Sequence, residues 1–158
     1  MVRLLFVCTG NICRSPTSEA VMRGVLRDAG LEDAVEVESA GTGPWHVGKP
    51  PDARATAAAR ERGVTLAGLA RQIAPDDFAA FDLILAADAE NLADLRAVVP
   101  PGARARIHRL REFDPAAGAD LDVPDPYYGA DDGFEVVLDH VEAACRGLLA
   151  TLRAQGRV

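Results

Sequence analysis

Apolar and polar positions along the chain predict strands that alternate with helices. Val2–Val7 is almost uninterrupted apolar sequence, and Phe81–Ala86 repeats this pattern, as expected of strands buried on both faces of a parallel sheet. Val35–Ser39 alternates between apolar and polar residues, which is typical of a half-exposed edge strand. Ala105–Leu110 is predicted as the last short strand, so we expect four strands.

Helical periodicity occupies most of the sequence between these strands. Pro16–Ala29 predicts a helix that ends at Gly30, and Pro51–Arg62 predicts an alanine-rich helix. Asp88 is placed to cap a further helix that runs through Val98. The predicted apolar stripes are Val21, Val25 and Ala29 in the first helix, and Phe134, Leu138, Val141, Cys145, Leu148 and Leu152 in a long terminal helix.

This alternation predicts an α/β fold. We expect residues 1–158 to form one three-layer domain, in which helices flank a central, twisted, parallel four-stranded sheet. A length of 158 residues is enough to bury a sizeable core. Ligands in such sheets bind beyond the carboxyl ends of the strands, so a binding site is expected where the first strand ends.

Composition and charge exclude several classes of protein. Hydrophobic residues make up 49% of the chain and charged residues 26%, which is ordinary for a globular protein. The net charge of −7 argues against nucleic acid or an acidic membrane as the main partner. The sequence contains no signal peptide and no apolar run of membrane length, and its three cysteines form no disulfide framework. We therefore expect a cytoplasmic protein.

The loop between the first strand and the first helix holds the candidate chemistry. Gly10 lets the backbone curl inward, and Asn11 tolerates left-handed dihedral angles. Consecutive N–H groups then point at one spot beside a helix N-terminus, which predicts a phosphate-binding loop. Ser15 is predicted to cap the helix, with Pro16 in its first turn and Glu19 complementing its dipole.

Two side chains make this anion site reactive. Arg14 offers a planar fork that can bind two phosphate oxygens at once. The same positive field favours the thiolate form of Cys8, which is a nucleophile aimed at phosphorus. A lone Cys-x5-Arg pattern is more often a buried cysteine and an arginine at a helix start. Here the strand, the glycine and the proline all fall where the site needs them, which favours the catalytic interpretation.

Arg111–Asp132 has little periodicity and is rich in aspartate. Structureless connections of this length in compact domains are usually functional or disordered. Within it, Pro124 and Pro126 hold Asp125 between two residues of restricted φ. A turn with surface tyrosines explains the stretch equally well.

The chain resembles the low-molecular-weight protein tyrosine phosphatases over nearly its whole length. No single matching segment is specific, but their order and spacing together are. The matching segments are Val7–Pro16, Ser39–Thr42, Trp45–Gly48, Ala70–Ile73, Phe81–Leu85 and Asp122–Gly129.

The resemblance implies a reaction and the residues that carry it out. Cys8 would be the nucleophile that forms a phosphocysteine, Arg14 would bind the phosphoryl oxygens, and Asp125 would be the general acid. Asn11 and Ser39 would support the loop through hydrogen bonds. The substrate-binding residues would be Thr9, Gly10, Asn11, Ile12, Cys13 and Ser15 in the loop, and Trp45, Tyr127 and Tyr128 at the mouth.

The same resemblance implies the partners. We expect phosphotyrosine-containing proteins and small aryl phosphates as substrates, with inorganic phosphate as product and inhibitor. No metal and no cofactor is expected, because arginine and backbone amides neutralise the phosphate charge. We expect a monomer or a weak dimer.

The residues fit four other functions less well than this one. Protein-arginine phosphatases of the same fold carry threonine at the position of Ile12 and lack the aromatic pair after the acid. Arsenate reductases need two further cysteines, which residues 85–88 do not supply. A nucleotide-binding loop at 43–49 lacks the following Ser or Thr, because Pro50 stands there. A non-catalytic phosphate-binding module would have no need of Asp125.

Several residues allow two interpretations. Cys13 either packs or protects Cys8 through a reversible disulfide. Asp88 matches a family aspartate near the acid, but helix capping is the preferred explanation. Gly68 stands where the family often has a histidine that supports the loop, so we expect a somewhat softer loop. The side chains expected to be non-catalytic are His46, His108 and His140, and Cys145 is assigned to the core.

Overall fold

The structure is a computed structural model that describes residues 1–127 and 132–158. Its strands are β1 (Val2–Cys8), β2 (Val35–Gly41), β3 (Leu83–Ala86) and β4 (Arg106–Arg109). Its helices are α1 (Arg14–Asp28), α2 (Ala53–Glu61), α3 (Asp77–Ala80), α4 (Ala89–Val98) and α5 (Gly133–Ala154), with a 3₁₀ turn at Leu110–Phe113.

The described strands form one parallel sheet in the order β2-β1-β3-β4. β1 pairs with β2 from Val2 opposite Val35 to Cys8 opposite Gly41. β1 also pairs with β3, so the polypeptide leaves β1 with a neighbour strand on each side. The prediction of a parallel four-stranded sheet flanked by helices is confirmed, and β2 is an edge strand as expected.

Side chains of β1 alternate between two hydrophobic cores. Leu4, Phe6 and Cys8 contribute to the core under α1, α2 and α5, whereas Leu5 and Val7 contribute to the core under α3 and α4. Burying a Leu or Phe side chain stabilises a fold by about 1.5–3 kcal/mol. The uninterrupted apolar character of β1 follows from this burial on both faces. The predicted three layers, helices on each side of the sheet, are present.

The terminal helix packs as its periodicity predicts. All six residues of its predicted apolar face are buried, and Val137, Ala144 and Leu149 are buried with them. Gly147 lies against the 3₁₀ turn, where a methyl group would overlap the carbonyl oxygen of Phe113. None of the described helices combines the length and the apolar character needed to cross a membrane.

Two local predictions differ from the structure. In α1 the most deeply buried side chains are Met22 and Leu26, while Val25 is only partly buried, so the stripe is rotated from the predicted one. The four-residue α3 was not predicted, because one turn is too short to show periodicity. Phe78 anchors α3 in the second core, and Asp77 accepts the backbone N–H of Ala74 at 2.7 Å.

Candidate active site

The loop from Cys8 to Arg14 is held by the side chain of Asn11. Its backbone φ is 57°, in the left-handed region that few residues other than glycine adopt. Its Nδ2 donates to Ser15 Oγ at 2.8 Å and to Ser39 Oγ at 3.0 Å, and its Oδ1 accepts the Arg71 backbone N–H at 2.9 Å. These bonds satisfy a side chain that is only 4% exposed, and they fix the curl of the loop.

Small residues let neighbouring segments approach this loop closely. A Cβ on Gly41 would lie 2.7 Å from the Thr9 carbonyl oxygen, because the end of β2 passes directly against the loop. A Cβ on Gly10 would lie 2.7 Å from His46 Cδ2. Backbone bonds of 2.9 Å from Thr42 N to the Cys8 carbonyl oxygen, and of 3.0 Å from Gly43 N to that of Thr9, complete the attachment.

The Cys8 sulfur is buried at the base of the loop, 3.0 Å from Ser15 Oγ. Ser15 Oγ accepts a hydrogen bond from Asn11, so its own proton can be donated to the sulfur or to the Ala40 carbonyl oxygen, 3.3 Å away. The predicted capping role of Ser15 is wrong. Cys13 occupies the N-cap position without a side-chain cap bond, and the Ser15 hydroxyl faces the sulfur from the first turn of α1. No acidic residue lies in that first turn, so Glu19 does not complement the dipole as predicted.

Arg14 is the first residue of α1 and is almost fully buried. Its Nη1 donates to Asp88 Oδ2 at 2.6 Å and to the Val123 carbonyl oxygen at 3.0 Å. Its Nη2 lies 3.4 Å from Thr9 Oγ1 and 3.6 Å from Asp125 Oδ2. Burial opposes the charge of Arg14, but Cys8 and the two aspartates outweigh it and raise its pKa.

Asp88 serves two purposes, of which sequence reasoning favoured one. Its Oδ1 accepts the backbone N–H of Asn91 at 2.8 Å, which confirms the predicted helix cap. Its Oδ2 binds Arg14, which makes it the main anchor of that guanidinium. This second contact could have been predicted only from the topology, because β3 pairs with β1 and both strands end at the same edge of the sheet. Asn91 was also missed, and its Nδ2 donates to Thr9 Oγ1 at 3.0 Å.

Asp125 is more exposed than Arg14 and Asp88, with 43% of its side chain accessible. The segment that carries it is fixed at Val123, whose N–H donates to the Ala87 carbonyl oxygen at 2.8 Å. Asp125 Oδ1 accepts the Tyr127 backbone N–H at 3.0 Å, and Oδ2 faces Arg14. Residues 111–132 are therefore not structureless where they are described.

A cavity of about 440 Å³ opens above the sulfur. Its walls are formed by Cys8, Thr9, Gly10, Ile12, Cys13, Arg14, Trp45, His46, Asp125 and Tyr127. Trp45 is 68% exposed at the rim and is not packed in the core. Of the other predicted site residues, Asn11, Ser15 and Ser39 do not line the cavity but support the loop from behind, and Tyr128 lies outside the described residues.

His46 is a wall residue that sequence reasoning set aside. Its ring lies 5.9 Å from that of Tyr127, at an angle of 51°. Its spacing from the other histidines matches no metal site, and the remaining signal in the sequence is its place in the Trp45–Gly48 segment that resembles the family. Among the described residues, no three His, Cys, Asp or Glu side chains are grouped to hold a metal ion.

The two cysteines of the loop differ in their environment. Burial, with smaller contributions from Asp52 and Cys8, raises the pKa of the Cys13 thiol to about 12. Cys13 is therefore a neutral thiol at physiological pH, whereas the Cys8 sulfur lies near the Arg14 charge. Burial also raises the pKa of Cys145, which lies in the core as predicted.

Gly68 lies on an exposed turn with φ of +86°, and no atom lies within 4 Å of the place where its Cβ would be. A histidine there would adopt an unfavourable backbone conformation. In this chain the Asn11 amide oxygen accepts the Arg71 backbone N–H at 2.9 Å.

Fold and site together define an α/β protein with a cysteine–arginine anion loop at the carboxyl edge of a parallel sheet. Comparison with known proteins agrees. A family model described as low molecular weight phosphotyrosine protein phosphatase matches residues 3–158. A low molecular weight protein-tyrosine-phosphatase of Streptomyces coelicolor is 52% identical over 155 residues, which cover 97% of this chain and 94% of the relative.

Solved structures give the same result. A protein tyrosine phosphatase from Entamoeba histolytica superposes with a TM-score of 0.94 and 37% identity, covering 100% of both chains. An arginine phosphatase from Drosophila superposes with a TM-score of 0.87 and 32% identity, covering 94% of this chain and 96% of the other. The chain belongs to the low molecular weight phosphotyrosine protein phosphatase family.

Proposed function

We propose that this protein hydrolyses phosphotyrosine in proteins, and small aryl phosphates, through a phosphocysteine intermediate on Cys8. One observation carries the proposal: the Cys8 sulfur lies at the base of a cavity whose walls also bear Arg14 and Asp125. The nucleophile, the oxyanion-binding group and a proton donor thus face the same space. Family membership supports the same reaction.

The first step transfers the phosphoryl group to sulfur. The Cys8 thiolate attacks phosphorus in line as the bond from phosphorus to the phenolic oxygen breaks, and Asp125 donates its proton to that oxygen. Arg14 and the backbone N–H groups of residues 9–14 bind the equatorial oxygens as their charge redistributes. The products of this step are the free phenol, phosphocysteine and the Asp125 carboxylate.

The second step returns the enzyme to its starting state. The Asp125 carboxylate takes a proton from water as the water oxygen attacks phosphorus, and the sulfur leaves as thiolate. Ser15, 3.0 Å from the sulfur, donates its hydroxyl proton in a hydrogen bond to that thiolate. Inorganic phosphate is released, and because it fits the same loop we expect it to inhibit.

We infer the remaining properties from the sequence and the site. Residues 1–158 act as one phosphatase domain, in line with a family match from residue 3 to residue 158. Three free cysteines favour the cytoplasm as its compartment. We expect a monomer or a weak dimer.

The test is p-nitrophenyl phosphate hydrolysis with rapid quenching. Phosphate should label Cys8 during turnover, and Cys8→Ser should abolish hydrolysis. Asp125→Asn should slow hydrolysis, and the loss should approach the roughly 10²–10⁴-fold range of general acid catalysis only with a poorer leaving group, such as that of phenyl phosphate. Absence of the labelled cysteine in an active wild type would refute the mechanism. Comparison of phosphotyrosine with phosphoarginine peptides, in wild type and Ile12→Thr, tests the substrate class. Aromatic Tyr127 in the wall favours phosphotyrosine.

A further inference from the structure

We propose that Arg54 is a positioning residue for the general acid, and that it ties the Asp125 segment to the phosphate-binding loop by a route separate from Arg14. Arg54 lies in the first turn of α2, outside the walls of the cavity. The inference rests on the proposed role of Asp125.

Asp52 fixes Arg54 relative to the phosphate-binding loop. As N-cap of α2, the Asp52 carboxylate accepts the backbone N–H groups of Arg54 at 2.8 Å and Ala55 at 3.2 Å. The same carboxylate binds the guanidinium of Arg54 through Nε at 3.3 Å and Nη2 at 3.2 Å. The Asp52 backbone N–H donates to the Ile12 carbonyl oxygen at 2.8 Å, so the base of Arg54 moves with the loop.

The far end of Arg54 reaches the segment that carries the acid. Its Nη2 donates to the Tyr127 carbonyl oxygen at 3.2 Å. Its guanidinium carbon lies 5.7 Å from the centre of the Tyr127 ring and 4.9 Å from that of Phe134, within the range of cation–π contacts. The guanidinium of Arg54 therefore links the start of α2 with Tyr127, two residues after Asp125, and with the first turn of α5.

Tyr127 passes this constraint on to the carboxyl group. The Tyr127 carbonyl oxygen is bound by Arg54, while its N–H donates to Asp125 Oδ1 at 3.0 Å. Oδ1 is thereby occupied, and Oδ2 lies 3.6 Å from Nη2 of Arg14, which is itself a wall residue of the cavity. Oδ2 is thus the oxygen placed to deliver the proton, and Arg54 keeps it there.

The dependence of the rate on the leaving group tests this role. p-Nitrophenolate leaves with little help, whereas phenolate needs the proton, so loss of acid positioning should affect phenyl phosphate selectively. For Arg54→Ala we expect kcat/KM to fall about 10-fold with phenyl phosphate and less than about 3-fold with p-nitrophenyl phosphate, part of the roughly 10²–10⁴-fold effect of a general acid. Arg54→Lys keeps the charge without the fork and should recover part of the loss.

Control variants separate this role from stability and from the chemistry itself. Arg60→Ala makes the same change on the exposed side of α2, and both substrates should keep their wild-type rates. Asp125→Asn, which removes the acid itself, sets the largest difference in rate loss expected between phenyl phosphate and p-nitrophenyl phosphate. Should Arg54→Ala not fold, Asp52→Asn retains a capping side chain, weakens the ion pair and should give the same selectivity in smaller degree.

The outcomes are distinguishable. Equal losses with the two substrates in Arg54→Ala, or a change in KM alone, would overturn the positioning role while leaving the mechanism intact. A wild type without activity, or activity retained in Cys8→Ser, would instead refute the proposed function.

Discussion

Replacing Asn11 by alanine tests whether its side chain is what holds the phosphate-binding loop. The change removes three hydrogen bonds, to Ser15, Ser39 and the Arg71 N–H. At about 1 kcal/mol each, with the Arg71 donor left unpaired, the loss is about 3 kcal/mol. Alanine at a φ of 57° adds about 1–2 kcal/mol. We expect the free energy of unfolding to fall by about 4 kcal/mol, a large part of the roughly 5–15 kcal/mol of a typical domain.

The assay is urea denaturation followed by circular dichroism, with Asn11→Gly and Ser39→Ala as companions. Glycine loses the same bonds but adopts a positive φ freely, so Asn11→Gly should be more stable than Asn11→Ala by about 1 kcal/mol. At most backbone positions the alanine variant is the more stable of the two, so this result would be the reverse of the usual order of stability. Ser39→Ala should lose only about 1 kcal/mol. A loss below about 1 kcal/mol in Asn11→Ala, or a glycine variant less stable than the alanine variant, would refute the reasoning.

Three further predictions concern Asp88, Cys13 and two glycines. Asp88→Asn retains the helix cap but removes the negative charge beside Arg14, so kcat/KM should fall about 10–100-fold in steady-state assays. Tm should fall as well, because the buried guanidinium loses its charged partner. Burial raises the pKa of Cys13 from 9.0 to about 12, so above pH 9 the thiol loses its proton when the protein unfolds. The free energy of unfolding, measured in urea titrations, should therefore fall between about pH 9 and pH 12. The fall should be less steep in Cys13→Ala. In thermal unfolding, Gly147→Ala should destabilise the folded protein by about 2 kcal/mol or more, because the new methyl group overlaps the 3₁₀ turn. Gly24→Ala in α1, where the methyl group meets open space, should stabilise the folded protein by about 0.5–1 kcal/mol.

The parts of the site that follow one another in sequence could be predicted. Burial of β1 on both faces, the turn at Gly10 and Asn11, and Arg14 at the start of α1 all lie within one local stretch whose residue types fix its geometry. The prediction that Ser15 caps α1 was wrong, although Ser15 lies in the same stretch. Statistical capping preferences assume that the serine hydroxyl has no other hydrogen-bond partner. Here Cys8 and Asn11 supply partners that a general preference does not include.

The partners of Arg14 were harder to predict because they are far away along the chain. Asp88 lies 74 positions later and the Val123 carbonyl 109 positions later. Only the pairing of β3 with β1 brings Asp88 to the loop, and a residue with a sufficient local role as helix cap gives no sign of a second one. His46 is a similar case, since its place in the wall depends on close approach to Gly10.

The two aspartates around Arg14 differ in a way that suits their different tasks. Asp88 binds the guanidinium at 2.6 Å with 18% of its side chain exposed, whereas Asp125 lies at 3.6 Å with 43% exposed. A short contact in a less polar environment gives the stronger attraction, so of the two aspartates Asp88 contributes more to the charge balance of Arg14. Asp125 is therefore held in place mainly by Tyr127 and the chain around it, and its carboxyl group stays in exchange with water. The proposed role of Asp125, which is to give up a proton in one step and accept one in the next, requires this freedom.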